Sequence, residues 1–247
     1  MWCWEHGDPN PEFFTQDRLE RKQIIERKRH SIYENVTGVI AISDFIRREI
    51  DCPEAKVIHN GCDHIESRPM SYNRNTQLVR VGTLVRLGAG EAVYKGRPLL
   101  VQLYNNLLSR DLPIELHVMG RGSEQDRKIF ESMGVKVHLN ASDQERLEYL
   151  ENLDVFVSTS LWEGFNLPLI EAQASGTVGL AFDVGAHPEV TPLVVRNQDD
   201  MMSLIEHYCR NQDVLQEHSG LCHRWVLKKF RWESAAKSSL ELFMESR

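Results

Sequence analysis

The sequence predicts an α/β protein in which a parallel, doubly wound sheet is covered by helices on both faces. Two observations carry this prediction. From residue 37 onward, short runs rich in β-branched residues alternate with segments whose apolar residues recur at helical spacing. Strands that alternate with helices along the chain pair in parallel, because each crossover returns the chain to the same edge of the sheet.

The strands and helices follow from these patterns in order. Six segments predict strands: TGVIAI (37–42), VRVGT (79–83), IELHVMG (114–120), KVHLN (136–140), DVFVSTS (154–160) and TVGLAFD (177–183). Five segments between them predict helices: SDFIRREI (43–50), RPLLVQLYNNLLSR (97–110), SEQDRKIFESMG (123–134), SDQERLEYLENL (142–153) and LPLIEAQASG (167–176). Start and stop signals agree, because Ser142 and Glu145 form a capping-box pattern and Gly134 and Gly176 stand where helices should end.

The two ends of the chain differ from this pattern. Residues 1–36 begin with the aromatic stretch WCWEHGDPNPEFF and continue into a charged segment, QDRLERKQIIERKRHSIYEN, which predicts a helix with a solvated face. Residues 199–246 predict a helical C-terminal extension. Its last segment, RWESAAKSSLELFMES, is amphipathic and needs a surface to lie against.

Composition excludes several classes of protein. The chain is 41% hydrophobic and 26% charged, as in ordinary globular proteins, and its net charge of -7 argues against broad nucleic-acid binding. Its five cysteines never occur as C-x-x-C, which indicates reduced thiols rather than a disulfide framework or a zinc site. The first residues hold no apolar run of signal-peptide length, and no stretch of about 18 apolar residues occurs. We expect a cytoplasmic protein, and a peripheral membrane contact stays open.

The stretch SLWEGFNLPLIEAQASG (160–176) predicts a binding site. Glu163 lies just before a predicted helix start, and Glu171 follows eight positions later inside that helix. A helix start favours anions because its free N–H groups and dipole attract negative charge. Ionised carboxylates accept hydrogen bonds from sugar hydroxyls. The pattern therefore favours a phosphate ligand with hydroxyl-rich groups on both sides.

The same stretch resembles the signature of family 4 glycosyltransferases, retaining enzymes of the GT-B fold. The resemblance is carried by EGFNLPLIEAQASG, with LDVFVSTSLW before it and VGAHPEV after it. Other segments arrive in the family's order and extend the resemblance over residues 37–246: GVIAISDFIRREI, VIHNGCD, VRVGTLVR, YKGRPLL, IELHVMGRG, KVHLN and FRWESAA.

The resemblance implies a domain organisation. Residues 37–247 would form the C-terminal, Rossmann-like domain that binds the nucleotide sugar, which is one half of a GT-B fold. Residues 1–36 would be the remnant of the N-terminal acceptor domain and a linker helix, with WCWEHGD resembling that domain's last strand and the histidine after it. The chain would then be the donor half of an enzyme, as a fragment, a split subunit or a truncated relative.

The resemblance also assigns roles to residues. Glu163 would face the donor sugar, Lys95 would neutralise the diphosphate, and His6 would match a histidine at the sugar; these three are the candidate catalytic residues. Glu171 would accept hydrogen bonds from the nucleotide ribose. The phosphates would meet the backbone amides of four residues at the helix start, which Asn166 would cap with Pro168 in the first turn: Gly164, Phe165, Asn166 and Leu167.

One departure from the family concerns an arginine. The family has arginine directly after the glycine of the first strand of this domain, and here Thr83 stands there. Arg86, in the loop LVRLGAGEAVYKG, is the candidate that replaces it at the phosphates, and Arg97 is a weaker one. Without an arginine, stabilisation of the leaving group would fall by a few kcal/mol.

The expected activity is transfer of a hexosyl-type sugar from a nucleoside diphosphate to an acceptor, with retention of configuration and without metal or cofactor. The base, the sugar and the acceptor are not identified by the sequence. Two alternatives stay open: a catalytically inactive nucleotide-sugar-binding or partner module, and a GT-B-shaped epimerase of nucleotide sugars.

An exposed apolar face is expected at the two ends of the chain, and it predicts self-association or a partner such as an acceptor-domain subunit. The aromatic and apolar residues that would form this face are Trp2, Trp4, Phe13, Phe14, Trp232, Leu240 and Phe243.

Overall fold

A computed structural model describes residues 1–65, 78–88 and 91–245, so Ala89 and Gly90 of the predicted phosphate loop lie outside it. The chain begins with a small sheet of three parallel strands in the order β1-β2-β3: β1 (Trp2–Glu5), β2 (Gly38–Ala41) and β3 (Lys56–Val57). Helices α1 (Arg18–Ser31) and α2 (Asp44–Glu49) connect these strands. The predicted boundary between residues 36 and 37 does not coincide with the division between sheets, because β2 pairs with β1 on one side and with β3 on the other.

The predicted parallel, doubly wound sheet is confirmed in the larger part of the chain. Six strands pair in parallel in the order β6-β5-β4-β7-β8-β9. Their bounds are β4 (Val79–Leu84), β5 (Ile114–Gly120), β6 (Lys136–Leu139), β7 (Val155–Ser158), β8 (Val178–Phe182) and β9 (Val194–Val195).

Helices cover both faces of this sheet, as the alternating pattern predicts. Between the strands lie α3 (Glu91–Tyr94), α4 (Arg97–Leu108), α5 (Glu124–Glu131), α6 (Asp143–Asn152), α7 (Leu167–Ala174) and α8 (His187–Val190). The capping box at Ser142 is present, and Gly134 and Gly176 adopt positive φ after α5 and α7. One core cluster lies on each face, the first built around Tyr104 and Phe130 and the second around Phe156 and Leu169.

The C-terminal extension is helical, as predicted: α9 (Gln198–Arg210), α10 (Gln212–Lys229) and α11 (Trp232–Glu245). α11 does not lie on the large sheet but returns to the small one, where Ala235 and Leu242 pack with Ile40, Ile58 and Trp2. None of the helices in the described part of the chain combines the length and apolar character that a bilayer crossing requires.

The predicted apolar face is partly covered. Phe14 is buried beneath Tyr94, with ring centroids 5.8 Å apart, so its assignment to an exposed face was wrong. The ring of Trp2 packs at 6.2 Å from that of Phe243. The apolar residues of the predicted face that stay exposed, at 38–59%, are Trp4, Trp232, Leu240 and Phe243.

Candidate functional site

The candidate site lies where the strand order of the large sheet changes direction. From β4 the chain moves to β5 on one side, whereas from β7 it moves to β8 on the other. Crevices at such switch points, outside the carboxyl ends of parallel strands, are where open α/β sheets bind ligands. Here the loops after β4 and β7 enclose a cavity of about 250 Å³, whose lining includes Thr83, Arg86, Lys95, Ser160, Glu163 and Asn166. We call it the first cavity.

Lys95 and Glu163 form an ion pair at the first cavity. The Lys95 ammonium lies 2.9 Å from each carboxylate oxygen of Glu163. The hydroxyl of Ser160 donates a third hydrogen bond to the same carboxylate, at 2.7 Å. Glu163 is only 7% exposed, so its charge is compensated inside the protein rather than by water.

The start of α7 forms the opposite wall of the first cavity. Asn166 caps the helix as predicted, because its side chain accepts from the amide of Leu169, and Pro168 occupies the first turn. Asn166 adopts a positive φ of 66°. Among the described residues, none accepts a hydrogen bond from the amides of four successive residues: Gly164, Phe165, Asn166 and Leu167. Four N–H groups with no partner at a helix start form a site for an anion.

Gly164 is required for a reason that the sequence did not reveal. A Cβ at this position would lie 2.6 Å from the carbonyl oxygen of His6 and 3.3 Å from the Ile46 side chain. The carbonyl of Gly164 also accepts a hydrogen bond from the Ser43 hydroxyl, at 2.7 Å. The absence of a side chain at Gly164 therefore lets the N-terminal part of the chain pack closely against the site.

A buried histidine hydrogen-bonds to the residue that caps the start of α7. His187 is fully buried, and its Nδ1 lies 2.8 Å from the carbonyl of Phe182, so Nδ1 carries the proton. Its Nε2 is then the acceptor of a hydrogen bond from Asn166 Nδ2, at 3.0 Å, and Nδ2 also donates to Ser158 Oγ. Burial lowers the pKa of His187, which keeps the imidazole neutral.

A second cavity, of about 380 Å³, continues the groove along the sheet edge. It shares Leu84, Val85 and Arg86 with the first cavity. Its far wall is formed by the last residue of β5, by residues after β5 and β6 and by two residues of α6: Gly120, Arg121, Asn140, Ala141, Asp143 and Arg146. The side chain of Arg86 thus borders both cavities.

Glu171 lies behind Arg146, a residue that lines the second cavity, and is held at both carboxylate oxygens. Arg146 pairs with Oε2, and His64 Nε2 lies 3.1 Å from Oε1. The side chain of Glu171 is 7% exposed, whereas that of Arg146 is 25% exposed and reaches the cavity.

The other candidates are distributed as follows. Thr83 is buried in β4, lines the first cavity, and its carbonyl accepts from the Tyr149 hydroxyl at 2.8 Å. Arg97 points away from the first cavity, because it pairs with Asp126 at 2.9 Å and donates to the carbonyl of Leu87. The side chain of His6 is exposed, although its backbone lies against Gly164. In residues 1–65, 78–88 and 91–245 no cluster of three His, Cys, Asp or Glu side chains is placed to hold a metal ion.

Sequence reasoning missed four contributors to the site: Arg146, His64, Ser160 and the Ser158–His187 contact. Arg146 sits in an amphipathic helix pattern and His64 follows an ordinary loop motif, so neither carries a local signal. Only Ser160 stands close enough in sequence to Glu163 to have been found as a local partner.

Comparisons with known proteins identify the family of the chain. The sequence profile of the family described as "Glycosyl transferases group 1" matches residues 80–211, more than half of the chain. A poly(ribitol-phosphate) alpha-N-acetylglucosaminyltransferase of Staphylococcus aureus is 24% identical over 85% of this chain. The chain spans 40% of the length of that relative.

Solved structures share the fold. Staphylococcus aureus TarM, as a mutant with fondaparinux, alpha-GlcNAc-glycerol and UDP bound, superimposes with a TM-score of 0.74 at 23% identity, over 98% of this chain and 50% of that one. Anabaena HepE with UDP and glucose gives a TM-score of 0.76 at 15% identity, over 99% of this chain and 71% of that one. At these identities the likeness establishes the fold.

Proposed function

The chain belongs to the glycosyl transferases group 1 family, and on that premise we propose that it binds a nucleoside-diphosphate sugar and serves its transfer to an acceptor with retention of configuration. The observation that carries the proposal is the groove at the switch point. One end of it combines a cation with four amides that have no acceptor among the described residues, and the other end is lined by Arg146, which pairs with the buried carboxylate of Glu171.

The diphosphate would occupy the first cavity. Its charge would be met by the amides at the start of α7 and by Lys95, which exchanges Glu163 for a phosphate oxygen. Arg86, on the cavity wall, would supply the second cation in place of the family arginine, whose position Thr83 occupies. Because charge grows on the diphosphate as the bond to the sugar breaks, these donors would stabilise the leaving group without a metal ion.

The sugar and the nucleoside would lie on opposite sides of the diphosphate. Glu163, released from Lys95, would accept hydrogen bonds from sugar hydroxyls. The ribose would be bound by Glu171, and the base would enter the second cavity beside Gly120 and Asn140. A hexosyl donor is supported by the relative that transfers N-acetylglucosamine and by the neighbour solved with glucose.

The N-terminal segment and the exposed apolar residues concern the acceptor side of the proposed reaction. His6 is our candidate for a contact to the sugar from the N-terminal segment, which Gly164 holds at the site. An acceptor-binding unit, as a subunit or in a longer chain, and a second copy are both partners that the exposed Trp4 and Leu240 would favour. Light scattering at high concentration tests association, and a clean monomer would count against a second copy.

Titration calorimetry with UDP, GDP and ADP tests the donor site. We expect one nucleotide to bind, and Glu171→Ala to weaken it at least tenfold, which is about 1.4 kcal/mol. Because Lys237 is exposed on α11, Lys237→Ala should leave binding unchanged. Failure of all three nucleotides to bind the folded protein would overturn the proposal.

Thr83 favours a second candidate, a nucleotide-sugar-binding module without transferase activity. A buried threonine stands where the resemblance places an arginine, so the leaving group has lost one cation unless Arg86 reaches it. Turnover of the bound UDP-, GDP- or ADP-sugar separates the two candidates. If the nucleotide sugar binds but no nucleoside diphosphate is released, even when an acceptor domain is added, the result favours the binding module without transferase activity.

A further inference from the structure

We infer that His64 is a positioning residue for ribose recognition, and that Trp232 at the start of α11 sets its hydrogen-bonding state. The inference rests on the proposed function, in which Glu171 receives the ribose hydroxyls. Its structural basis is a chain of hydrogen bonds: the indole Nε1 of Trp232 lies 3.1 Å from His64 Nδ1, and His64 Nε2 lies 3.1 Å from Glu171 Oε1.

The partners of His64 decide where its proton sits. An indole N–H can only donate, so Nδ1 of His64 is the acceptor and carries no proton. The imidazole proton is therefore on Nε2, which points at Glu171 and donates to it. This assignment comes from the hydrogen-bond network, as is usual for imidazole tautomers. Trp232 thus makes His64 a fixed donor toward the carboxylate.

The segment around His64, residues 61–65, packs against the chain at Trp232. A Cβ on Gly61 would lie 2.2 Å from the backbone nitrogen of Trp232, so only glycine admits this approach. Asp63 Oδ1 accepts from the same backbone N–H at 2.7 Å, and the amide of Cys62 donates to the carbonyl of Phe230 at 3.0 Å. A turn follows at residues 62–65, where the amide of Ile65 donates to the carbonyl of Cys62 at 3.0 Å.

These contacts allow His64 to orient the carboxylate of Glu171. Arg146 holds one oxygen of Glu171 and His64 holds the other, which fixes the plane of the carboxylate. Each carboxylate oxygen keeps a further lone pair, and two oxygens in a fixed plane can accept from two neighbouring hydroxyls. Without His64 the carboxylate is free to turn onto Arg146 alone, and its fit to the ribose is lost.

The test is the preference for ribose over deoxyribose. Affinities of UDP, GDP and ADP are measured beside those of dUDP, dGDP and dADP by calorimetry, and the ratio within the binding pair is compared among variants. A hydrogen bond to a charged acceptor predicts a ratio of about tenfold or more in the unaltered protein. Partial unfolding lowers both affinities alike, so the ratio reports recognition rather than stability.

Three variants and one control sharpen the test. His64→Leu should reduce the ratio at least threefold, whereas His64→Gln, whose amide can donate where Nε2 does, should retain most of it. Trp232→Phe keeps the ring and removes the N–H, and should reduce the ratio less than His64→Leu does. His207→Leu, exposed on α9, should leave the ratio unchanged.

The outcomes separate the inference from the proposed function. If the unaltered protein binds none of the three nucleotides, the proposed function is overturned and the inference with it. If it binds and prefers ribose but His64→Leu keeps the full ratio, the inference alone is overturned. A ratio that Trp232→Phe does not change would remove Trp232 from the inference.

Discussion

Each end of the groove has a buried carboxylate, Glu163 in the lining of the first cavity and Glu171 behind Arg146 of the second, but the two are held differently. Glu163 is paired with Lys95, the cation that the diphosphate would need, so binding has to break this pair. Glu171 is paired with Arg146 and His64, neither of which has to leave for the ribose to bind. The first acid competes with the ligand for its cation, and the second is already in place. Neutralising the two acids should therefore have opposite effects on nucleotide binding.

The largest expected effect comes from removing the cation at the first end. Lys95→Ala should weaken binding of the nucleoside diphosphate by about 2–3 kcal/mol, because a charge-assisted bond to phosphate is lost. Binding of the nucleoside without phosphates should not change. Calorimetry with UDP and uridine, or with the pair of whichever base binds, checks this. Equal losses for the two ligands would place Lys95 away from the phosphates.

Neutralising the acid beside Lys95 should separate binding from transfer. Glu163→Gln frees the ammonium, so we expect the diphosphate to bind up to about fivefold more tightly, which is about 1 kcal/mol. Transfer of the sugar should fall by about a hundredfold or more, because an acceptor for its hydroxyls is weakened. Glu171→Gln is the matched comparison and should weaken binding. Loss of diphosphate affinity in Glu163→Gln would contradict the competition between carboxylate and ligand.

A smaller effect is expected at His187, which supports the first end through Asn166. His187→Gln should lower the free energy of unfolding at pH 7 by about 1–3 kcal/mol, since buried hydrogen bonds are lost. The same substitution should weaken binding of the diphosphate without altering the preference for ribose, because His187 contacts the start of α7 and not Glu171.

The same variant should change how stability depends on pH. Burial lowers the pKa of His187 in the folded protein, whereas the unfolded chain titrates near the ordinary value of about 6.5. Below that pH the unfolded state binds more protons than the folded state. The contribution of neutral, buried His187 to the free energy of unfolding is therefore fully present above pH 6.5 and is lost as the pH falls. His187→Gln should therefore reduce the loss of stability between about pH 6.5 and 5, measured by urea unfolding, and His207→Gln should not. An unchanged slope would contradict this assignment.

The smallest expected effect is that of metal removal. If Lys95, Arg86 and the helix start carry the phosphate charge, EDTA should change nucleotide affinity by less than about twofold. A loss of tenfold or more that magnesium or manganese restores would show that a cation is needed at the first end.

Much of the fold was predictable because the large sheet repeats a simple pattern. The four predicted helices between its strands, and α2 in the small sheet, begin and end within a few residues of the predicted bounds, since their apolar spacing and caps agree. β3, of two residues, and α8, of four, were not predicted, because segments this short cannot show the periodic spacing of apolar residues that identifies a strand or a helix. The membership of β2 in the small sheet also had no local signal, since it depends on pairing with β1 far along the chain.

The candidate site was predicted less completely. Position in the motif indicated Glu163, Glu171, Lys95 and Asn166, and the cap at Asn166 is confirmed. Which side chains hold the acids could not be predicted, because Arg146 and His64 reach Glu171 from a helix and a loop that only the tertiary fold brings together. Whether the assigned residues bind a nucleotide sugar stays a prediction.

The return of α11 to the small sheet has a consequence for how the protein is made. β1 and β2 emerge from the ribosome before the large sheet, yet Ala235 and Leu242, which cover Ile40 and Ile58, follow only after the whole large sheet. The large sheet and the helices that cover it are complete once α10 has been made, whereas this face of the small sheet stays uncovered until synthesis has passed α11. A nascent chain stopped before residue 232 should therefore carry a folded large sheet beside an exposed, chaperone-binding apolar surface at its N-terminal end.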